Sequence, residues 1–173
     1  MTAQPEIDAL LRHAASNGDV PGVVAMAATD RGVLYEGAFG QRDLASGVPM
    51  TTDTLFRIAS MTKAVTCVAA MQLVEEGLIA LDAPLSALGA KIDATLTAPQ
   101  VLEGFDAEGR PRLRPAKRPL TLRHLMSHTA GFVYAAWNTD IQRYVKATNM
   151  PSTTSAKHGS LNQPLLFDPG ERW

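Results

Sequence analysis

"LFRIASMTKAVTCVAAMQLVEEGLIALDAPL" (residues 55–85) decides how the rest of the chain is read. From Ser60 to Glu76 it predicts a helix, with Gly77 placed as the C-terminal stop. Ala64, Val65, Val68, Met71 and Leu73 recur at spacings of one to four, the pattern of a largely buried helix. Ser60 and Lys63 stand three apart at its head and share a face. Two readings of that pair are open. In one, Ser60 caps the helix and Lys63 reaches solvent. In the other, Lys63 lies in a dry site beside the positive end of the helix, which disfavours its ammonium, and it takes the proton of Ser60. Lys63 is a lone charge in a helix whose other charges wait until Glu75 and Glu76, which favours the second reading.

Working outward, residues 5–16 read as a short amphipathic helix ended by Asn17-Gly18. "GVVAMAAT" (22–29) and "VLYEGAFG" (33–40) read as two strands joined by a tight "DRG" turn, and 42–50 as loop. Asp82 stands as the cap of a short helical turn beginning at Pro84. Residues 97–119 are rich in Gly, Pro and Arg and read as an irregular surface excursion. Thr121 caps "LRHLMSH", which Gly131 closes; 140–148 is a further helix, 149–162 a polar loop, and the chain ends on a Pro-Gly turn. Two strands make only an isolated hairpin, whose open edges want partners. The reading is therefore of a piece of something longer.

Composition narrows the function. A chain of 173 residues, 46% apolar and 19% charged, fits one ordinary globular domain. A net charge of −1 gives no general attraction to nucleic acid or to acidic membranes, and one cysteine allows no internal disulfide. The polar start and the lack of a long apolar run set the expectation of a cytoplasmic protein with no membrane partner. His124 and His128 have the spacing of a zinc pair, but "HLMSH" lacks the glutamate of the metalloprotease motif and no third ligand presents itself, so no metal is expected. The basic run "GRPRLRPAKR" (109–118) is broken by prolines and has no interleaved aromatics; it reads as a solvated or partner-facing loop and not as a nucleic-acid site. Cys67 reads as a small core residue.

The 55–85 stretch resembles the nucleophile helix of the serine β-lactamase and penicillin-binding-protein superfamily, with the closest likeness to its class C-like branch, the family VIII carboxylesterases. "GFDAEGRPRLRPAKRPLTLRHLMSHTAGF" (104–132) and "FDPGERW" (167–173) resemble further ordered segments of that family. The resemblance implies an α/β, β-lactamase-like fold with a sheet region and a helix-rich region. Residues 1–90 would form the start of the first and 91–173 the start of the second. It implies Ser60 as the acylated nucleophile and Lys63 as its proton partner. The family's catalytic tyrosine would lie beyond Trp173, in the C-terminal part of the same fold. Tyr134 and Trp137 would wall the acyl pocket, whereas Tyr35 and Tyr144 read as packing residues. The implied activity is a cofactor-free serine carboxylesterase acting on a small-molecule, short-chain ester. The alternatives are a β-lactamase or DD-peptidase acting on amides, a transferase, or a non-catalytic binding domain with the same fold.

Overall fold

The computed structural model describes residues 4–88, 94–155 and 157–173. The boundary expected near residue 91 lies outside the described residues. The chain forms two compact units, residues 1–59 and 60–173.

The first unit is a helix on a small antiparallel sheet. Helix α1 (Gln4–Ser16) is amphipathic and stops at Asn17-Gly18, where Gly18 adopts a positive φ. Strands β1 (Gly22–Thr29) and β2 (Gly32–Asp43) pair from Gly22↔Gly40 to Thr29↔Gly32, with a bulge at Ala27/Ala28. Strand β3 (Val48–Pro49) adds a third member, so the 42–50 segment expected as loop is partly sheet. The turn that permits this is built by Asp43, whose carboxylate accepts from Ala45 N–H and Ser46 Oγ. Tyr35 is buried, and its hydroxyl donates to Asp8 Oδ1 at 2.7 Å, tying α1 to the sheet.

The second unit opens with a 3-10 turn, Ala59–Met61, that leads into α2 (Thr62–Glu75). Gly77, at φ +71, ends that helix as expected. The expected burial does not occur: no residue of α2 is buried, and Met61 and Val65 are 70% and 64% exposed. Downstream, among the described residues, Asp82 makes no capping bond to the turn that follows it. Its carboxylate takes Arg123 Nε and Nη2 at 2.6 and 2.8 Å instead, beside the Pro84↔Thr121 bridge.

After α3 (Ala94–Thr97), the segment expected to be irregular is a hairpin of β4 (Gln100–Phe105) and β5 (Pro111–Pro115). Its prolines do not break it because they occupy the two ends of an edge strand, where a missing N–H costs no interior ladder bond. The basic run is accordingly not free loop. Arg110 pairs with Asp106 and Glu108, and Arg114 with Glu103 and Asp168. Leu165 bridges the outer side of β4, its N–H donating to Gln100 O and its C=O accepting from Leu102 N–H. Leu85, Val101, Leu120, Ala130 and Leu165 form the core of this unit, with Leu125 and Phe132 packed against it.

Helix α4 (Leu122–Met126) is capped by Thr121, as its sequence suggested. Gly131 does not close it. The helix ends at Met126, and His128 takes the left-handed turn, φ +58. Helix α5 (Thr139–Thr148) is capped by Asn138, whose Oδ1 accepts from Ile141 N–H, and Ile141 is fully buried. Among the described residues, no helix is long and apolar enough to cross a membrane.

Candidate active site

Lys63 Nζ donates to Ser60 Oγ at 3.0 Å, so one turn of backbone brings hydroxyl and amine into direct contact. Capping does not account for Ser60: the N-cap position of α2 is Met61, and no side chain caps it. The first-turn N–H groups of a helix lack intrahelical acceptors and carry its positive end, so Ser60 sits where an anion is stabilised. Ala59, just before the serine, is held at φ +45 without being glycine, a conformation that costs about 1–2 kcal/mol. Both Ser60 and Lys63 are exposed, so the dry site expected around the lysine is not formed by the described residues.

Tyr134 and Trp137 form a second local unit. Their ring centroids are 5.2 Å apart at 81°, an edge-to-face pair, and they are 48% and 83% exposed. Trp137 N–H donates to Tyr134 O across the turn that joins them. The loop that carries them is braced from below. Leu166 N–H donates to Gly131 O at 2.9 Å, and the buried Gln163 donates its side-chain amide to Val133 O. Tyr144 is half-buried on α5, which agrees with a packing role.

Several ties in this unit were not foreseen from the sequence. Asp168 is buried and accepts from Arg114 Nη1 and Nη2 at 3.0 and 2.9 Å and from Lys117 N–H at 2.7 Å. The Arg114 guanidinium, aided by the Lys117 N–H, holds its carboxyl down to about 2. His124 completes a reciprocal cap: Thr121 Oγ1 accepts from His124 N–H, and His124 Nδ1 accepts from Thr121 N–H, each at 3.3 Å. That bond places the ring proton on Nε2. Burial, with Arg118 nearby, lowers the basicity of His124. Its role is structural, and His128 serves in the turn after the helix. Among the described residues, no group of three or more His, Cys, Asp or Glu is arranged to hold a metal. Cys67 is half-buried.

Comparison with known proteins places these local units in a family. The family model described as Beta-lactamase matches residues 7–173. The chain is 37% identical to the acyltransferase mokF of Monascus pilosus over 97% of its own length and 41% of that protein's. It is 33% identical to the esterase EstB of Burkholderia gladioli, over 96% of this chain and 40% of the relative. Among solved structures, the unliganded simvastatin synthase LovD of Aspergillus terreus superposes with a TM-score of 0.80 at 33% identity, covering 98% of this chain and 43% of that one. The chain thus spans about two-fifths of the length of the curated relatives it matches. With the family model extending over nearly all of its length, this chain belongs to the Beta-lactamase family.

Proposed function

We propose that the protein is a serine carboxylesterase that cleaves short-chain esters through an acyl-Ser60 intermediate. The observation that carries this reading is the 3.0 Å contact between Lys63 Nζ and Ser60 Oγ at the head of α2. Lys63 accepts the proton of Ser60 as Oγ attacks the ester carbonyl carbon. The Ser60 N–H and the positive end of α2 stabilise the resulting oxyanion. Collapse breaks the carbonyl–alkoxy bond, and the departing alcohol takes the proton. Water then attacks the acyl carbon and gives a proton to the amine; the acyl–Oγ bond breaks as that proton passes to Ser60 Oγ, which frees Ser60 and a carboxylic acid. A tyrosine beyond Trp173, implied by the family resemblance, shares the proton transfer. No metal or organic cofactor takes part. Tyr134 and Trp137 line the acyl side.

The exposed apolar face of α2 and the two-fifths coverage of relatives support a further element of this reading. In the whole enzyme, the remaining part of the fold covers α2 and shields the Ser60–Lys63 pair at its head from water.

Intact-mass spectrometry of the protein purified from its source, before and after a serine-reactive fluorophosphonate, tests the proposal. An adduct mapped to the Ser60 peptide, lost in Ser60→Ala and nearly lost in Lys63→Ala, is expected. A source protein of 18.5 kDa with no adduct would sink it. A second reading has support in the transferase name of the Monascus relative: an alcohol replaces water as acyl acceptor. Product partition in the presence of an added alcohol separates the two. Faster turnover of a β-lactam than of any ester would favour the amide-cleaving alternative. Ligand affinity that survives both substitutions would favour a binding domain.

A further inference from the structure

We infer that Gln163 is the positioning residue for the Tyr134–Trp137 aromatic pair, and through it for the recognition of an apolar acyl chain of several carbons. This rests on the esterase reading above.

Gln163 is 5% exposed and lies thirty residues downstream of the loop it touches. A buried side-chain amide on a backbone carbonyl fixes that carbonyl's direction, because leaving either group unpaired in the interior costs far more than the bond gains. Here the carbonyl belongs to Val133, the residue before Tyr134. On the other side of the pair, Asn138 caps α5 and anchors the chain just after Trp137. Gln163 and Asn138 thus pin both ends of the six-residue stretch, 133–138, that presents the rings. The rings themselves are open to solvent, packed edge to face, and so present aromatic surface. Aromatic side chains of this size each bury 150–250 Å² when covered, roughly the area that a medium acyl chain offers.

Two measurements decide the matter. In the 173-residue chain with Trp173→Phe, Trp137 is the sole tryptophan, and its nanosecond fluorescence depolarisation reports the mobility of the loop. Gln163→Glu keeps the side chain's shape but sets a carboxylate against the Val133 carbonyl, and Gln163→Met keeps its length without a donor. With far-UV circular dichroism unchanged in at least one of them, the fast depolarisation amplitude is expected to rise about twofold or more. In the source enzyme, KM for p-nitrophenyl hexanoate is expected to rise about tenfold relative to that for the acetate, in Gln163→Glu and Trp137→Ala alike. The double variant loses no more than Trp137→Ala alone, since the two act on one contact. Unchanged depolarisation, equal KM rises for both esters, or additive losses would overturn the inference. Failure of Ser60 to take the fluorophosphonate would instead overturn the esterase reading, and the depolarisation would still decide whether Gln163 holds the loop.

Discussion

Gly131 concentrates the constraints on the aromatic loop in one residue. It sits at φ +98, and a Cβ there would lie 2.5 Å from Phe167 O and 3.1 Å from Leu165 Cβ. The nearer atom is backbone, in a segment held to β4 by two hydrogen bonds, so it cannot yield cheaply. The left-handed conformation alone costs an alanine about 1–2 kcal/mol, and the clash adds to it. Gly131→Ala is therefore expected to lower the apparent Tm by at least about 4 °C, at roughly 2–4 °C per kcal/mol for a chain of this size, in a thermal melt followed by circular dichroism. A melt within 1 °C of the parent would show that the loop shifts to accommodate the methyl. The sequence marks Gly131 only as a helix stop, because the reason for glycine there is a neighbour thirty-six residues away. Ser60 and Lys63 were legible for the opposite reason: three residues apart on a helix is a local relation, and local geometry brings the two groups together. Gln163 carried no such signal.

At the scale of elements, charge links β5 to the segment after Leu165. Asp168 has a lowered folded pKa, about 2 against an ordinary value near 3.9, with the Arg114 guanidinium as first cause. The stability it confers is therefore complete above pH ~4 and is lost as the pH falls towards about 2. Urea titrations from pH 5 to pH 2 are expected to show this loss in the parent. Asp168→Asn should be less stable at pH 5, with a shallower decline; parallel curves would refute the assignment. His124 acts in a different window. Its folded pKa is lowered by burial, so stability falls as the pH drops below about 6.5, where the unfolded histidine takes a proton that the capped ring resists. The charges near the ring are Arg118, Asp82 and Arg123. Gln at this position can keep the reciprocal cap, since Thr-x-x-Gln is itself a capping box. His124→Gln is thus expected to flatten the fall in stability between pH 7 and pH 5, read by urea titration, while holding the pH 7 stability within about 0.5 kcal/mol. An unchanged slope would move the titration to another group. The cap and helices α1, α2 and α5 were legible because capping and periodicity are local. The β4–β5 hairpin was hidden because Pro111 and Pro115 signal breakage unless their place at strand ends is known, and that place depends on pairing with β4 and Leu165.

At the scale of the whole molecule, the helix that looked largely buried in sequence has no buried residue in the structure. Its apolar pattern was read as the mark of a largely buried helix, and the described residues do not supply that burial; what no pattern can say is where cover would come from. Val65 and Val68 point outward from α2, and Met61 at its head is equally open. In the isolated 173-residue chain, such a patch should bind the dye ANS and promote self-association. Val65→Lys with Val68→Glu is expected to cut ANS fluorescence and shift the chain towards monomer in sedimentation, with a stability change within about 0.5 kcal/mol per site, as for any exposed position. Ile141→Ala, by contrast, should cost about 2–5 kcal/mol, since that side chain is fully buried. Placed in the source enzyme, the same charged pair on α2 should lower its Tm and weaken fluorophosphonate labelling of Ser60 if, as proposed, that face meets the rest of the fold there. If the charged pair instead destabilises the isolated chain as severely as Ile141→Ala, then α2 is already packed within these 173 residues. The shielding proposed for the Ser60–Lys63 pair would then have to come from this chain itself.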